Sequence, residues 1–333
     1  MKEKVRTTKI VKSVLNKVFD YKKQLLSSIK ESKEKLKNII ETNYKLGLYH
    51  LNANNLNDAA FRFRLVLYFE PTHYNALYNL AKCLIAKKRK ESAIEKLKLA
   101  LQLKTDFAEA KYLLGIIDGS CEVESIPLSI IRDYYDKIAD QFNDKFSIQK
   151  GYKLPMHMAN LLCSTIETNG KDFSVLDIGC GTGKCGEAIY QKLKVSNMIG
   201  VDISSKMLEK AQELKKNNEY VFDKLVNLDY MRLLKETHLK YDIIVAGLSL
   251  HFNKNLDPIL SLLKSTLSQK GHIVFAVEKS DDADVKLNSS YENFCYNEKF
   301  IKESIVTAGL HLLSLDEILI NDKKSILIAI CTN

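Results

Sequence analysis

Apolar residues recur at helical spacing along the first forty residues. Spacings of three, four or their sums separate Val11, Val14, Leu15, Val18, Leu25, Ile29, Leu36, Ile39 and Ile40, with lysines between them. Such spacing places the apolar side chains on one face of an α-helix. It predicts a helical N-terminal segment over residues 1–39.

A repeated pattern follows this segment. Its first copy contains Leu46, Gly47, Ala59, Phe63, Val66 and Pro71. The corresponding residues of the second copy are Leu80, Ala81, Ala93, Leu97, Ala100 and Thr105, and a third start stands at Leu114 and Gly115. The step from Leu46 to Leu80 to Leu114 is typical of stacked helical repeats, in which small residues let paired helices approach closely. We predict a helical repeat region over residues 40–120.

The pattern changes again near residue 125. Two amphipathic helical stretches, "SIIRDYYDKIADQFNDKF" and "GYKLPMHMANLLCSTI", lead into an alternation of strands and helices. The predicted strands are 173–178, 197–202, 220–227, 241–247, 271–277, 310–319 and 325–331, and the predicted helices are 184–194, 204–216, 255–268 and 297–308. The alternation indicates a doubly wound α/β domain over residues 121–333. Because residues 321–324 are too few for a parallel crossover, the last two strands are expected to form an antiparallel hairpin.

Composition narrows the class of protein. At 333 residues and 46% hydrophobic residues, the chain is long enough for two packed domains. It has no uncharged apolar run of about 18 residues, and its N-terminus lacks the apolar core of a secretory signal, so we expect neither a membrane span nor secretion. The seven cysteines form no C-x-x-C pair, which indicates no disulfide framework and no zinc site. These features predict a cytoplasmic protein without a metal.

The positive charge is concentrated at the N-terminus. Residues 1–40 carry twelve Lys or Arg and four acidic residues, so this segment supplies eight of the nine net positive charges of the chain. Two interpretations stand open: an arm that binds nucleic acid or an anionic membrane, or a solvated helix packed on its neighbour. A mitochondrial presequence is disfavoured, because lysine replaces arginine and Glu3 comes early.

The stretch "LDIGCGTGKCGEAI", residues 176–189, matches two glycine-rich patterns. Gly181, Gly183 and Gly186 satisfy the G-x-G-x-x-G pattern of dinucleotide-binding folds. Asp177 followed by Gly179, Gly181 and Gly183 satisfies D-x-G-x-G-x-G, a pattern associated with S-adenosylmethionine (SAM). A carboxylate at residue 177 would repel a pyrophosphate but accept hydrogen bonds from the ammonium of SAM, so the chemistry favours the methyl donor. Asp202, at the end of the next strand, suits ribose hydroxyls in both alternatives.

Five successive segments resemble the motifs of class I SAM-dependent methyltransferases: "VLDIGCGTG", "MIGVDISSKMLEKAQ", "LVNLDYMRLL", "YDIIVAGLSLHF" and "LSQKGHIVFAVE". The resemblance covers roughly residues 125–333 and implies a seven-stranded Rossmann-like sheet whose last strand is antiparallel. The region from residue 40 to residue 117 resembles tetratricopeptide (TPR) repeats, although the second copy lacks the Gly and the Pro. The whole chain is similar to bacterial methyltransferases that carry TPR repeats.

The resemblance implies a set of SAM contacts. The methionine part would lie against Asp177, Gly179, Cys180 and Gly181, and Gly183 would permit close helix–loop packing. Asp202 would hold the ribose, with Ile203 and Met207 beside the adenine. Asp229 would accept from the adenine amino group next to Leu228. A floor below the sulfonium would consist of Ala246, Gly247 and Leu248, and a lid would consist of Tyr134, Tyr135 and Tyr152. For Cys180, packing explains the residue better than nucleophilic chemistry.

The methyl acceptor is open at the level of sequence. His251 and Glu278 follow the fourth and fifth strands and are candidates for handling substrate, each weighed against a structural role. The N-P-P-[YF] signature of base methylation is replaced by "AGLSLHF", so a nucleic-acid substrate is not expected. Three hypotheses remain: a methyltransferase for a small-molecule or acyl-carrier substrate (O- or N-methylation), a protein methyltransferase whose TPR-like region recruits its substrate, and an interaction protein with a vestigial SAM domain.

Overall fold

The computed structural model describes residues 2–119, 122–145, 153–168, 170–216, 218–281, 283–288, 292–321 and 324–333. The chain divides into two compact units, Met1–Cys121 and Glu122–Asn333. Each unit is built around its own cluster of buried apolar residues.

The first unit is helical throughout its described part. Its helices are α1 (Lys2–Asn52), α2 (Leu56–Phe69), α3 (Tyr74–Ala86), α4 (Lys90–Leu103) and α5 (Ala108–Asp118). Helices that follow one another in sequence pack together, as in a stacked array.

The helix boundaries of the first unit recur at a constant step. The step from Leu56 to Lys90, where α2 and α4 begin, equals the step from Phe69 to Leu103, where they end. The starts of α3 and α5 are separated by the same step. The residues in equivalent positions of α2 and α4 are fully buried: Ala59, Phe63 and Val66 in one, Ala93, Leu97 and Ala100 in the other. The repeated apolar pattern therefore forms a continuous core between neighbouring helices.

Helix α1 continues without a break across residues 39 and 40, where the sequence predicted a change from the basic segment to the repeats. The boundary between the two segments appears instead as a change in the burial of the residues along the helix. Residues 26–39 are exposed, whereas Asn43 and Gly47 are buried. The packed part of the unit therefore begins in the last three turns of α1.

The second unit alternates helices and strands. It begins with helices α6 (Leu128–Lys145) and α7 (Leu154–Thr165). There follow, in chain order, β1 (Phe173–Ile178), α8 (Lys184–Lys192), β2 (Val195–Asp202), α9 (Ser205–Gln212), β3 (Lys215–Lys216), β4 (Glu219–Tyr220), β5 (Lys224–Asn227), α10 (Tyr230–Glu236), β6 (Tyr241–Gly247), α11 (Asp257–Thr266), β7 (Leu267–Lys279), β8 (Val285–Leu287), β9 (Phe294–Tyr296), α12 (Glu298–Thr307), β10 (His311–Asn321) and β11 (Lys324–Thr332).

The main sheet has the strand order β10-β11-β7-β6-β1-β2-β5. The five strands from β7 to β5 are parallel, and β11 pairs antiparallel with both β7 and β10. This arrangement confirms the predicted α/β fold and its antiparallel last strand. The seven strands of this path are those predicted for the sheet, and the short strands β8 and β9 pair beside β7 and bring the sheet to nine strands. The chain order reverses between β1 and β6, which is the point where ligands bind in open α/β sheets.

Both faces of the sheet are covered. Val175, Val245 and Val274 belong to one buried cluster with side chains of α7, α8 and α9. The alternate residues Leu176 and Ile244 are equally buried and point to the opposite face, because side chains alternate along a strand. Asp177 shares the face of Val175, toward α8.

Several elements differ from the sequence predictions. Helix α9 ends at Gln212, and the strand β3 stands where the helix 204–216 was predicted to end. The predicted strand 220–227 is interrupted, because the Asp223 carboxylate accepts a hydrogen bond from the backbone N–H of Met198 (2.7 Å) and the chain turns there. The short strands β8 and β9 and the two-turn helix α10 were not predicted, since elements of so few residues carry too little periodicity. Among the described residues, no helix is both long and apolar enough to cross a bilayer.

Candidate active site

The loop between β1 and α8 is shaped by its glycines. Gly179 has a positive φ of 61°, and a Cβ there would come within 2.4 Å of the Ser249 Cβ. Gly181 also has a positive φ (55°), but no atom lies within 4 Å of the place its Cβ would occupy. Gly179 therefore permits close contact with the loop after β6, whereas Gly181 borders open space. The Gly183 N–H closes the loop by bonding to the Cys180 carbonyl (2.8 Å).

Asp177 lies near the end of β1, inside the protein, with no exposed surface. Its Oδ2 accepts the backbone N–H of Gly186 (2.9 Å), in the first turn of α8. Its Oδ1 is buried without a hydrogen-bond partner among the described residues. Burial, augmented by repulsion from Asp202 and opposed by the Gly186 bond, raises the pKa of Asp177 to about 7. An unpartnered buried carboxylate oxygen favours a donor or a positive charge beside it.

Gly186 explains why the dinucleotide pattern also matches. It lies within α8, and a Cβ there would meet the Phe222 ring at 2.6 Å and Asp177 Oδ2 at 3.0 Å. Its small size serves packing between the helix and the sheet. The residue is therefore accounted for without a pyrophosphate.

Asp202 lies at the end of β2 and faces the glycine loop. Its Oδ2 accepts the Gly181 N–H (2.8 Å) and its Oδ1 accepts the Ser204 N–H (2.8 Å). Burial raises the pKa of this carboxyl, and the two backbone bonds oppose that shift. Each carboxylate oxygen retains a further lone pair, so the group can accept two hydroxyl donors. The Asn227 side chain donates to the carbonyls of Asp202 and Ile203 (3.1 and 3.0 Å) and fixes this turn.

The ends of β5 and β6 supply the next edge of the site. Asp229 precedes α10 and accepts the Met231 N–H through Oδ1 (3.1 Å), directly after the half-buried Leu228. Leu248 follows β6 with φ of 61°, which is uncommon outside glycine and signals local backbone strain. Ser249 stabilises that turn by donating to the Ile178 carbonyl (2.7 Å), and the Tyr230 hydroxyl donates to the Ser249 carbonyl (3.1 Å).

Beneath this edge, the last residues of β6 are packed closely. Ala246 has no exposed surface. A Cβ at Gly247 would approach the Cys185 Sγ to 2.4 Å, so only glycine fits there. Met207 is fully buried in α9, while Ile203 is half-buried at the turn before that helix.

Helix α6 lies against the glycine loop and the turn after β2. Its Asp136 accepts the Ser204 hydroxyl (2.6 Å), and its Asn143 accepts the Thr182 hydroxyl (2.7 Å). Burial, and to a smaller extent the negative charge of Asp202, raises the pKa of the Tyr135 hydroxyl. Its neighbour Tyr134 is more exposed, and the two rings form an edge-to-face pair at 5.2 Å. Tyr152, the third predicted lid residue, lies outside the described residues.

Cys180 is buried within the glycine loop. Its backbone N–H donates to the Val201 carbonyl (3.0 Å), and burial holds the pKa of its thiol well above the ordinary value. A thiol in this environment stays protonated and is a weak nucleophile.

His251 and Glu278 lie beside strand β9, at the carboxyl ends of β6 and β7. The His251 carbonyl accepts the Phe294 N–H (2.7 Å), and its ring is buried with Nδ1 unpartnered among the described residues. Burial and the charge of Lys324 lower the pKa of His251 to about 3. Glu278 accepts the Asn293 amide (3.2 Å) and pairs with Lys324 (3.3 Å). The histidine is therefore neutral at pH 7, and the glutamate is neutralised by a lysine.

Several side chains that build the site were not among the sequence candidates. They are Asp136, Asn143, Asn227, Tyr230 and Ser249. Each contacts a partner at least 19 residues away in sequence. No local pattern marks such contacts, so the sequence carried no signal for them.

Comparison with known proteins agrees with this geometry. Residues 169–321 match a protein family described as a methyltransferase domain. A region of 151 residues is 28% identical to malonyl-[acyl-carrier protein] O-methyltransferase 2 of Ilyobacter polytropus, covering 44% of this chain and 56% of that one. A region of 112 residues is 31% identical to an uncharacterized protein of Haemophilus influenzae, covering 33% of this chain and 44% of that one. The chain thus spans about half the length of these relatives.

Among solved structures, a SAM-dependent methyltransferase of Leishmania major shares the fold. It superposes with a TM-score of 0.50 at 14% identity, covering 61% of this chain and 82% of that chain. Residues 169–321 thus match a methyltransferase domain in sequence and have the Rossmann-like fold, and SAM is the methyl donor that this class of domain uses. Within that class, the matched relative from Ilyobacter polytropus is one that methylates a malonyl group on an acyl carrier.

The residues present fit this cofactor. SAM carries two positive charges and two ribose hydroxyls. The site offers the unpartnered Oδ1 of Asp177, the free lone pairs of Asp202 and open space beside Gly181. A pyrophosphate would find two carboxylates at the same edge, which electrostatic repulsion disfavours.

Proposed function

We propose that this chain is a SAM-dependent methyltransferase that forms a methyl ester on the carboxylate of a small-molecule or carrier-bound acceptor. The observation that carries the assignment is the pair of carboxylates on either side of the glycine loop, the fully buried Asp177 and the half-buried Asp202. SAM supplies an electrophilic methyl group on a positively charged sulfur. The protein supplies alignment and the exclusion of water.

The positions of the side chains support the following cofactor contacts. Asp202 accepts the ribose hydroxyls. Asp177 is fully buried, so its Oδ1 serves the ammonium group through a water molecule or after a small movement of the loop. The backbone of Gly179, Cys180 and Gly181 lies along the methionine part.

The adenine and the sulfonium lie toward the ends of β5 and β6 in this proposal. Asp229 accepts the adenine amino group through the oxygen that does not cap α10, with Leu228 and Ile203 against the ring. Met207 supports the ring from within the core, because its side chain has no exposed surface. The turn at Ala246, Gly247 and Leu248 forms the floor, and Tyr134 and Tyr135 on α6 cover the opposite side.

The acceptor side of the site supports a carboxylate as nucleophile. A carboxylate is ionised at neutral pH and needs no base, whereas a hydroxyl or an ammonium acceptor must lose a proton. With a pKa of about 3, His251 is too weak a base for that task. We therefore assign His251 a hydrogen-bonding role through Nδ1, and Glu278 the role of holding Lys324 at the carboxyl edge, where the ammonium can attract an anionic acceptor.

The name of the relative from Ilyobacter polytropus suggests a specific acceptor of this kind. That protein is named for O-methylation of a malonyl group on an acyl-carrier protein. A malonyl thioester ends in a free carboxylate, which is the nucleophile that the acceptor side suits. We propose an acceptor of this class, met in the cytoplasm, with the carrier protein as partner.

A second candidate is methylation of a protein substrate recruited by the helical unit. It is favoured by the array of paired helices that repeat at a constant step, which we infer to be TPR-like and which could hold a peptide. The two candidates differ in the product. A methyl ester on a small acyl group is released from the carrier by mild base, whereas N-methylation of a protein side chain survives it.

Calorimetric titration with SAM tests the cofactor site. Wild-type protein is expected to bind SAM at micromolar concentration, and Asp202→Asn is expected to weaken binding by about 100-fold, since two charge-assisted hydrogen bonds contribute roughly 1.5 kcal/mol each. The matched control is Asp172→Asn, an exposed carboxylate paired with Lys194 (2.8 Å) away from the loop. Equal affinity for SAM in wild type and Asp202→Asn would contradict the proposal that Asp202 binds the ribose.

A further inference from the structure

Helix α1 carries an exposed amphipathic stretch ahead of the part that packs against α2. We call residues 22–40 the lysine arm. Four of its large apolar side chains are open to solvent: Leu26 is 58% exposed, Ile29 44%, Leu36 38% and Ile39 45%. A contiguous row of exposed apolar side chains usually marks an interaction surface, whereas single exposed apolar residues are common on any protein.

The apolar side chains of the lysine arm share one face. At 100° per residue, Leu26, Ile29, Leu36 and Ile39 fall within a sector about 140° wide. Lys30, Lys37 and Lys23 follow one another along one flank of that sector. The arm as a whole carries six lysines and two glutamates, one of which, Glu31, pairs with Lys35 (2.7 Å).

We propose that the lysine arm binds the surface of an anionic phospholipid bilayer, with its axis parallel to the membrane plane. Leucine and isoleucine side chains enter the boundary between headgroups and acyl chains, and the flanking ammonium groups contact lipid phosphates. A helix with a wide apolar face, lysines beside it and modest overall hydrophobicity is suited to this position. The inference is independent of the methyl-transfer activity.

Lys22 and Lys33 favour a membrane over a second copy of the chain. Both fall inside the apolar sector. In a helix pair, they would meet the partner's apolar seam, and two arms of like charge would repel. At a bilayer, a lysine stem lies along the apolar surface while its ammonium extends to the headgroups.

A nucleic acid would bind the lysines of the arm but not its apolar side chains. Phosphates would pair with the lysines, but the apolar row would stay in water because backbone binding uses charge alone. An acidic bilayer surface accommodates the lysines and the apolar side chains at once. The charge distribution agrees: residues 1–121 carry 24 basic and 12 acidic residues, whereas residues 122–333 carry 26 and 29.

Co-sedimentation with vesicles tests the proposal on the full chain. Vesicles of phosphatidylcholine with about one third phosphatidylglycerol are expected to retain at least tenfold more protein than vesicles of phosphatidylcholine alone. Raising the salt concentration to about 0.5 M is expected to reverse most of the difference, since the Debye length then falls to roughly 4 Å.

Two variants separate the apolar and the ionic contributions. Leu26→Gln/Ile29→Gln/Leu36→Gln removes the apolar row, and Lys23→Gln/Lys30→Gln/Lys37→Gln removes the flanking charge. Each is expected to lower vesicle binding at least tenfold. The matched control, Ser27→Gln/Glu34→Gln/Asn38→Gln, changes exposed residues on the opposite side of the helix and is expected to bind as well as wild type or better. Far-ultraviolet circular dichroism checks that all three variants keep their helix.

Three results would overturn the proposal. The first is equal retention by neutral and anionic vesicles. The second is a control variant that loses as much binding as the apolar variant. The third is a wild-type chain that does not bind vesicles and binds another partner through the arm. Dimers that form in the wild type but not in the apolar variant would assign the arm to a second copy of the chain, and RNA binding that depends on the lysines would assign it to nucleic acid.

Discussion

Asp177 places a carboxylate where no solvent reaches it, and this has a measurable consequence for stability. Its pKa is about 7 in the folded chain, above the value of about 4 for an unfolded aspartate. The folded state therefore holds the proton more tightly than the unfolded state. In the protein without cofactor, the contribution of Asp177 to stability is fully present below pH 4 and is lost as the pH rises from about 4 to about 7.

Asp177→Asn is expected to stabilise the protein without cofactor at pH 8. The buried charge costs up to about 4 kcal/mol at 1.36 kcal/mol per pKa unit, and the amide oxygen can still accept the Gly186 N–H. The gain in melting temperature should shrink at pH 5, where the wild-type carboxyl is largely protonated. Thermal denaturation at both pH values measures this, and SAM should stabilise the variant less than wild type.

Asp242 provides a control of opposite sign. Burial alone would raise its pKa, but hydrogen bonds from Ser174, Ser268 and Lys171 outweigh burial and hold the pKa at about 2. This carboxylate stabilises the fold above pH 4, and the contribution is lost as the pH falls toward 2. Asp242→Asn should therefore destabilise the protein at pH 7. A loss of stability at pH 8 in both variants would contradict the account of Asp177.

At the scale of elements, α6 is held over the site by two side-chain hydrogen bonds. Asp136 accepts from Ser204, and Asn143 accepts from Thr182. These contacts hold α6, which carries Tyr135, against the turn after β2 and the glycine loop. The same helix carries exposed carboxylates at Asp133 and Asp144, which provide a matched control.

The double variant Asp136→Ala/Asn143→Ala is expected to weaken SAM binding about tenfold. Two hydrogen bonds of about 1 kcal/mol each hold the helix in place, and part of that energy is lost from the closed site. The dissociation rate should rise more than the association rate falls, which stopped-flow fluorescence can resolve. Asp133→Ala/Asp144→Ala should bind as wild type does; an equal loss in that variant would show that helix stability, and not closure, was measured.

Another element-scale prediction concerns the paired helices of the first unit. A Cβ at Gly47 would come within 2.6 Å of the Phe63 ring, which is fully buried. The equivalent positions of the second copy hold Ala81 and Leu97, a larger residue opposite a smaller one. The two copies of the pattern thus fill the space between their paired helices with different residue pairs, glycine with phenylalanine in the first and alanine with leucine in the second.

Gly47→Ala is expected to destabilise the first unit by about 1 kcal/mol, because overpacking of about 1–3 kcal/mol exceeds the gain in helix propensity. Adding Phe63→Leu recreates the alanine–leucine pair of the second copy and should recover much of the loss. Urea denaturation of both single variants and the double variant gives the coupling energy. Additive effects would contradict the proposed close approach.

The elements that the sequence predicted well share a physical basis. Strands β1 and β6 are apolar runs buried on both faces and bounded by a glycine at or just after their ends, so their bounds were predicted to the residue. The region near Phe222 was predicted as continuous strand, but the Asp223 carboxylate stops it by bonding to Met198, a contact 25 residues away. Very short strands, such as β8 and β9, are stabilised by pairing and leave no periodic signal.

The residues of the candidate site also divide into those that the sequence predicted and those that it did not. Asp177 and Asp202 stand at the ends of strands next to the glycine loop, so local pattern and charge were sufficient to select them. Asp136 and Asn143 act because α6 folds back onto loops 39 to 68 residues away. The low pKa of His251 depends on burial, which the sequence around it does not reveal.

At the scale of the whole molecule, the chain combines a basic helical unit with an acidic α/β unit. The first has a net charge of +12 and the second of −3. The second unit alone holds the glycine loop, the paired carboxylates and the acceptor-side residues. Chemistry is therefore expected to depend on the second unit, and affinity for partners or surfaces on the first.

The most direct test of the central proposal follows the methyl group itself. The full chain is incubated with SAM labelled in the methyl group and with a malonyl-loaded acyl-carrier protein, and the label is partitioned by mild base. We predict carrier-bound label that base releases as methanol, reduced at least 100-fold in Asp202→Asn and retained in Asp172→Asn. Label that stays on protein after base treatment, or no transfer despite tight SAM binding, would contradict the proposed methyl ester.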